Sequence, residues 1–282
     1  MLYMPGSNTR ALDKARSLAA DALILDLEDA VAPDAKDEAR ANVVAAAGGY
    51  GRREVLIRVN GLGTAWGQAD IVAAAGSAAH GILVPKVESA DMVRQVEALM
   101  DAAGAPAGMA IWCMIETPRG VLRVEDIAAA TPRLGGFVMG TSDLAKDMRC
   151  LHTPDRLAFV TAFNMTVMAG RANGLAVLDG VHLDLSDDAG FMAACRQGRA
   201  LGFDGKTLIH PKTIAMANQA FGPTEAEVAW SKTIIAAHET ALREGKGVVV
   251  VDGKLIENLH VVTARDLVAQ AEAIADLEAA LA

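Results

Sequence analysis

Ala22-Leu23-Ile24-Leu25-Asp26-Leu27 is a short apolar run that ends in charge, and its continuation decides the fold. Glu28 and Asp29 come next, then a helix-period stretch over Asp34–Ala47, then a second apolar run, Val55–Val59. Near-continuous apolar runs separated by helices read as strands covered on both faces, joined by right-handed crossovers. Strand, helix, strand in that order makes a parallel pair.

The same unit repeats outward in both directions. Apolar runs stand at Leu2–Met4, Ala22–Leu27, Val55–Val59, Gly81–Pro85, Ala110–Ile115, Phe137–Met139, Leu175–Leu178 and Thr207–Ile209. Helical spacing fills Thr9–Ala20, Ser89–Ala103 and Asp187–Leu201, with Asn8, Ser89 and Ser186 placed as N-caps. An open doubly wound sheet would also alternate in this way. Eight units over residues 1–222 favour the α/β class in its (β/α)8 form, the TIM barrel. The pattern then changes. Residues 223–282 read as a helix from about Glu225 to Glu244, a hairpin at Val248–Ile256 turning on Asp252-Gly253, and a helix over Val262–Leu281. This segment is an extension, not a ninth barrel unit.

Composition narrows the function. A net charge of −9 argues against a nucleic-acid partner, which needs a basic face. Cys113, Cys150 and Cys195 are far apart and lack metal-site spacing, so a reducing compartment is expected. No apolar run approaches the ~20 residues that span a bilayer, and no signal-peptide pattern opens the chain. A soluble, cytoplasmic enzyme is the expectation.

In such a barrel the functional face lies at the carboxyl ends of the strands. Those ends carry Asp26, Glu28 and Asp29; Arg58 and Asn60; Lys86 and Glu88; Glu116; Thr141, Ser142 and Asp143; Asp179; and His210. Glu116 and Asp143 come after consecutive strands, and two carboxylates without His or Cys suit a hard cation, magnesium first. Helix capping is the alternative for each. Arg58 either serves the mouth or forms a buried pair with Asp26 or Glu28. Gly61, Gly63 and Gly67 only loosely resemble a dinucleotide fingerprint, and a plain loop is preferred. His210 is expected to make a local hydrogen bond. Arg10, Lys14 and Arg16 form either a solvated face or a phosphate contact.

Several segments occur in an order that resembles a known family. They are Met4-Pro5-Gly6-Ser7, Leu25 through Val31, Ile57-Arg58-Val59-Asn60, Val84-Pro85-Lys86-Val87-Glu88, Ile115 through Gly120, Gly140-Thr141-Ser142-Asp143-Leu144, Gly202 through Lys206, Ile209-His210-Pro211, and Val251-Asp252-Gly253-Lys254. Together they resemble the citrate lyase β-subunit-like branch of the HpcH/HpaI aldolase superfamily. The resemblance implies Mg2+ (with Mn2+ as a substitute) held by Glu116 and Asp143. It implies that Arg58 contacts the substrate and its thioester oxygen. It also implies a homotrimer or hexamer whose C-terminal hairpin acts as a lid on a neighbour and supplies Asp252, although Asp252-Gly253 is a good turn without any other role.

On this reading Glu28 and Asp29 support Arg58 or metal-bound water, and Arg10 and Lys14 contact coenzyme A. Many family members carry Ala or Gly with Glu where this chain has Thr141 and Ser142, so the carboxylate pocket differs in detail. The expected reaction is Mg-dependent C–C cleavage of a malyl-, methylmalyl- or citramalyl-CoA to acetyl- or propionyl-CoA and a 2-oxo acid. The alternatives are a (3S)-malyl-CoA thioesterase and a citrate lyase β subunit acting on an acyl-carrier-protein thioester. A nicotinamide-dependent dehydrogenase, resting on the glycine loop alone, is the rival from another class.

Overall fold

The computed structural model describes residues 1–281 and divides the chain into two compact units, Met1–Ala217 and Asn218–Ala282. The first contains β1 (Leu2–Pro5), β2 (Ala22–Asp26), β3 (Glu54–Arg58), β4 (Gly81–Val84), β5 (Ala110–Ile115), β6 (Leu134–Met139), β7 (Ala176–Asp179) and β8 (Gly205–Lys206). Between them run helices α1 (Thr9–Lys14), α2 (Lys36–Ala46), α3 (Gly67–Ala75), α4 (Ala90–Ala102), α5 (Pro118–Leu122), α6 (Val124–Ala128), α7 (Thr141–Met148), α8 (Val160–Ala172) and α9 (Asp188–Leu201).

The eight strands pair in sequence order, all parallel. The ring closes through a bridge between Leu2 and Leu208, where Tyr3 N–H donates to the Leu208 carbonyl at 2.8 Å. This is the expected (β/α)8 barrel. Alternation along each strand sorts the side chains. Ile24, Leu56, Leu83, Trp112, Met114, Val138 and Leu178 meet in one buried cluster, with Tyr3 against it. Their sequence neighbours, such as Leu23, Leu25, Val55 and Ile57, are equally buried. Both faces of the sheet are therefore covered, which is why the strands read as unbroken apolar runs.

Several expected boundaries move. Strand β6 begins at Leu134, earlier than the run Phe137–Met139, because Gly135 and Gly136 lie against the Trp112 ring where a Cβ would collide. Strand β8 is Gly205–Lys206, not Thr207–Ile209; Ile209 is partly exposed, and Thr207 N–H still bonds the Asp179 carbonyl at 2.9 Å. Helix α1 ends at Lys14 and gives way to a 3-10 turn. Asn8 and Ser89 cap as expected, but Asp187 rather than Ser186 caps α9, its carboxylate accepting from Gly190 N–H.

Helix α10 (Ile214–Phe221) carries the division between units, ahead of the Gly222-Pro223 break that the sequence suggests. The second unit continues with α11 (Glu225–Arg243), an antiparallel hairpin of β9 (Val249–Val251) and β10 (Lys254–Ile256), and α12 (Asn258–Leu281). Thr224 and Glu227 form a reciprocal capping box at the start of α11. Ile256 packs with Ile234, Val261 and Ala264, while Val250 and Leu255 on the hairpin's other face are exposed. Asp252 and Gly253 take φ of 47° and 75°, the left-handed pair that a two-residue hairpin turn requires. Among the described residues, no helix is long and apolar enough to cross a membrane.

Candidate active site

The strand register places the first charged pair. Asp26 and Arg58 are direct partners across β2 and β3, each two residues beyond an inward-facing apolar side chain, Ile24 and Leu56. Both therefore point into the barrel axis just above the core. Arg58 donates from Nε and Nη2 to the two Asp26 oxygens at 2.7 and 2.6 Å. Asp26 also accepts the Glu28 and Ala30 N–H groups at 2.9 and 3.1 Å. The buried pair with Asp26 is thus present, and it leaves Arg58 Nη1 outside the fork, where it also meets the Met114 sulfur at 3.8 Å. Nη1 lies 2.8 Å from Glu28 Oε2 and 3.3 Å from Asp29 Oδ2. The Glu28 contact is ionic but out of line for a hydrogen bond, so that buried oxygen has unused lone pairs. Burial works against the Arg58 charge, but the Asp26 carboxylate outweighs it and holds the guanidinium above its ordinary value. The Tyr3 ring supports the cation from below, 4.8 Å from its centre.

Glu116 stands two residues after Met114 on β5 and shares its inward direction. Neither Glu116 nor Asp143 caps a helix: Thr117 caps α5, and Asp143 sits within the first turn of α7 with Gly140 at the cap position. A Cβ at Gly140 would overlap the Glu116 carboxylate, so glycine is required there for Glu116 to take its place. Glu116 Oε1 accepts Lys86 N–H at 2.8 Å, and Oε2 receives no donor among the described residues. Burial first, and then the Glu28 charge, push the Glu116 carboxyl up to about 7.

Lys86, after β4, joins these groups. Its ammonium donates to Glu28 Oε1 at 2.8 Å and lies 3.5 Å from Asp143 Oδ2. The mouth therefore sets Asp26, Glu28, Asp29, Glu116 and Asp143 against two cations, Arg58 and Lys86. Surplus carboxylate with unused oxygen lone pairs fits a hard divalent cation, which needs only one or two protein carboxylates and completes its shell with water and substrate oxygens. A full cage of three or more His, Cys, Asp or Glu is not formed among the described residues.

The remaining expected residues are spread more widely. Thr141 is buried with its hydroxyl unpartnered, and Ser142 is exposed beside it at the start of α7. Arg10 and Lys14 are exposed on α1. Asp252 belongs to the second unit, exposed at its hairpin turn. Asp179 is committed elsewhere, to Arg156 at 2.7 Å and Lys206 at 2.8 Å. His210 accepts Lys212 N–H at 3.1 Å, a local bond. The glycine loop is a turn: Thr64 N–H bonds the Gly61 carbonyl, and Gly67 packs against backbone at the start of α3. Sequence reasoning did not assign Lys86 or Asp26 to the site. Both stood at strand ends, but Asp26 required the β2–β3 register and Lys86 required its turn geometry.

The chain is similar to known proteins over most of its length. The HpcH/HpaI aldolase/citrate lyase family model matches residues 1–211. A (3S)-malyl-CoA thioesterase of Cereibacter sphaeroides is 50% identical over 277 residues, covering 98% of this chain and 95% of that protein. An L-malyl-CoA/β-methylmalyl-CoA lyase of the same species is 36% identical over 301 residues, covering 97% and 94%. The crystal structure of the protein CitE from Mycobacterium tuberculosis, in complex with magnesium, acetoacetate and coenzyme A, superposes with a TM-score of 0.81 at 29% identity, covering 96% of this chain and 97% of that one. The family model spans most of the chain and the relatives match it nearly end to end, so the chain belongs to the HpcH/HpaI aldolase/citrate lyase family.

Proposed function

We propose that the protein hydrolyses a malyl-CoA thioester with the help of magnesium. The observation that carries the chemistry is the uncapped pair Glu116 and Asp143 beside the anchored Arg58. The order of the two reactions rests on identity: 50% with the thioesterase against 36% with the lyase. Hydrolysis therefore moves ahead of the C–C cleavage expected first from the sequence, which stays as the second reading.

Glu116 and Asp143 would hold the ion, which when bound supplies Lewis-acid polarisation and a template for the malyl oxygens. Arg58, fixed by Asp26, presents Nη1 toward the mouth, where it stabilises charge developing on the thioester oxygen. Glu28 and Asp29 hold that Nη1 edge in place. The Thr141 hydroxyl, buried and unpartnered, is a donor for a substrate carboxylate, with Ser142 next to it. Asp252 takes a proton from the attacking water in hydrolysis, or exchanges one with the enolate carbon in cleavage. Arg10 and Lys14 bind the coenzyme A phosphates. Exposed Val250 and Leu255 support a lid role for the hairpin in a homotrimer or hexamer, with Asp252 acting on a neighbouring subunit. The three free cysteines suit a cytoplasmic setting.

A product assay on synthetic (3S)-malyl-CoA tests the main reading. Free thiol should appear with malate and without acetyl-CoA; stoichiometric acetyl-CoA and glyoxylate would establish the lyase instead. The same assay on Asp252→Asn should lose most turnover at an unchanged melting temperature, because Asn tolerates the left-handed turn. Arg10→Ala/Lys14→Ala should raise KM several-fold at low salt. Wild-type kinetics in either variant removes the corresponding role.

A further inference from the structure

We infer that Lys86 and the divalent cation are exchangeable counter-ions for Asp143, so that Lys86 sets how tightly the cation is held. The inference rests on the metal reading above and extends it to a residue that reading does not use.

The backbone gives the first reason. Lys86 has φ of 51°, a left-handed conformation that glycine adopts freely and a Cβ resists. The turn itself needs only the N–H, which holds Glu116 Oε1 at 2.8 Å. A lysine in this conformation therefore points to a role for its side chain. That side chain bridges two carboxylates from different strand ends, Glu28 after β2 and Asp143 after β6. The two contacts are unequal. The Glu28 bond at 2.8 Å is a full hydrogen bond, whereas Asp143 at 3.5 Å is held by charge alone.

Charge and access give the second reason. Among the described residues Lys86 is the one cation within ion-pair reach of Asp143. Arg58 cannot substitute, because Asp26 occupies its fork. The Lys86 side chain is 43% exposed, so its flexible stem can carry the ammonium off Asp143 while keeping Glu28. A positive charge 3.5 Å from the Asp143 oxygen opposes a second cation there. The ammonium thus screens Glu28, Glu116 and Asp143 from one another and lowers the affinity for the ion that displaces it. Lys86 is a positioning residue on this view.

Calorimetric titration of the substrate-free full chain with Mg2+, repeated with Mn2+ by electron paramagnetic resonance, tests this directly. Lys86→Met and Lys86→Gly should each bind the cation about tenfold more tightly than wild type, a factor typical for loss of one nearby like charge. Lys86→Gly guards against strain, since it relaxes the left-handed turn. Lys86→Arg should stay near wild type, because the charge is kept. A merely structural lysine would give weaker binding on removal. Reductive 13C-methylation of the wild type should also show the Lys86 resonance shift on adding Mg2+. Equal or weaker affinity in both neutral variants, with wild-type binding intact, overturns the inference alone. No cation binding by the wild type overturns the metal reading with it.

Discussion

Asp26→Ala is expected to cost about 3–5 kcal/mol of stability, the range for breaking one partner of a buried ion pair, and to remove nearly all turnover. Asp26 is almost fully buried and receives four hydrogen bonds, two from Arg58 and one each from the Glu28 and Ala30 backbones. Its loss strands a buried guanidinium and frees two N–H groups of the loop that carries Glu28 and Asp29. Stability and turnover can be measured separately. Urea denaturation reports the stability loss, which Asp26→Ala/Arg58→Met should largely recover because no unpaired charge remains. Turnover should stay lost in that double variant, since the Nη1 edge is gone. Arg58→Lys tests the same unit from the other side: it keeps a charge but not the fork, and most turnover should vanish while the fold persists. Near-wild-type stability in Asp26→Ala would mean that water or Glu28 replaces the anchor, and the proposed rigidity of Arg58 would fall.

The barrel was legible because its strands are apolar on both faces and nearly all of them lead into charge. Where that pattern weakens, the reading failed for local reasons. Gly135 and Gly136 look like a turn, yet they extend β6, because their missing side chains make room for Trp112. Thr207–Ile209 looks like a strand by its branched residues, but it has already curved away to close against β1. Glu116 and Asp143 could be read together because they follow consecutive strands, Glu116 immediately after β5 and Asp143 in the first turn of the helix after β6. The Asp26–Arg58 fork was not, since Asp26 and Glu28 lie two residues apart and only the register between β2 and β3 sets Asp26 opposite Arg58. Lys86 was visible as a charge after β4, but nothing in its spacing shows that a left-handed turn swings it between Glu28 and Asp143.

Glu116→Gln is expected to abolish cation binding and, without added metal, to make the protein more stable at pH 8. Burial and the Glu28 charge hold the Glu116 carboxyl at about 7, well above the ordinary value of 4.5. The sign comes from proton linkage. Between 4.5 and about 7 the folded state binds more protons at this group than the unfolded state, so stability falls as pH rises through that window. Above it the ionised side chain costs the fold about 3 kcal/mol, the raised pKa converted at 1.36 kcal/mol per unit. Glutamine removes that cost. The gain over wild type should therefore be close to its full value at pH 8 and absent near pH 4, with chelator present throughout. Adding magnesium should reverse the order at pH 8, because only the carboxylate gains from the cation, and cation binding by the wild type should weaken below about pH 7 as protons compete. Urea midpoints across pH, with and without magnesium, read all of this in one series. A variant that is no more stable than wild type at pH 8 in chelator would show that the Glu116 charge is already compensated by Lys86, and the need for a divalent cation at this carboxylate would lose its physical basis.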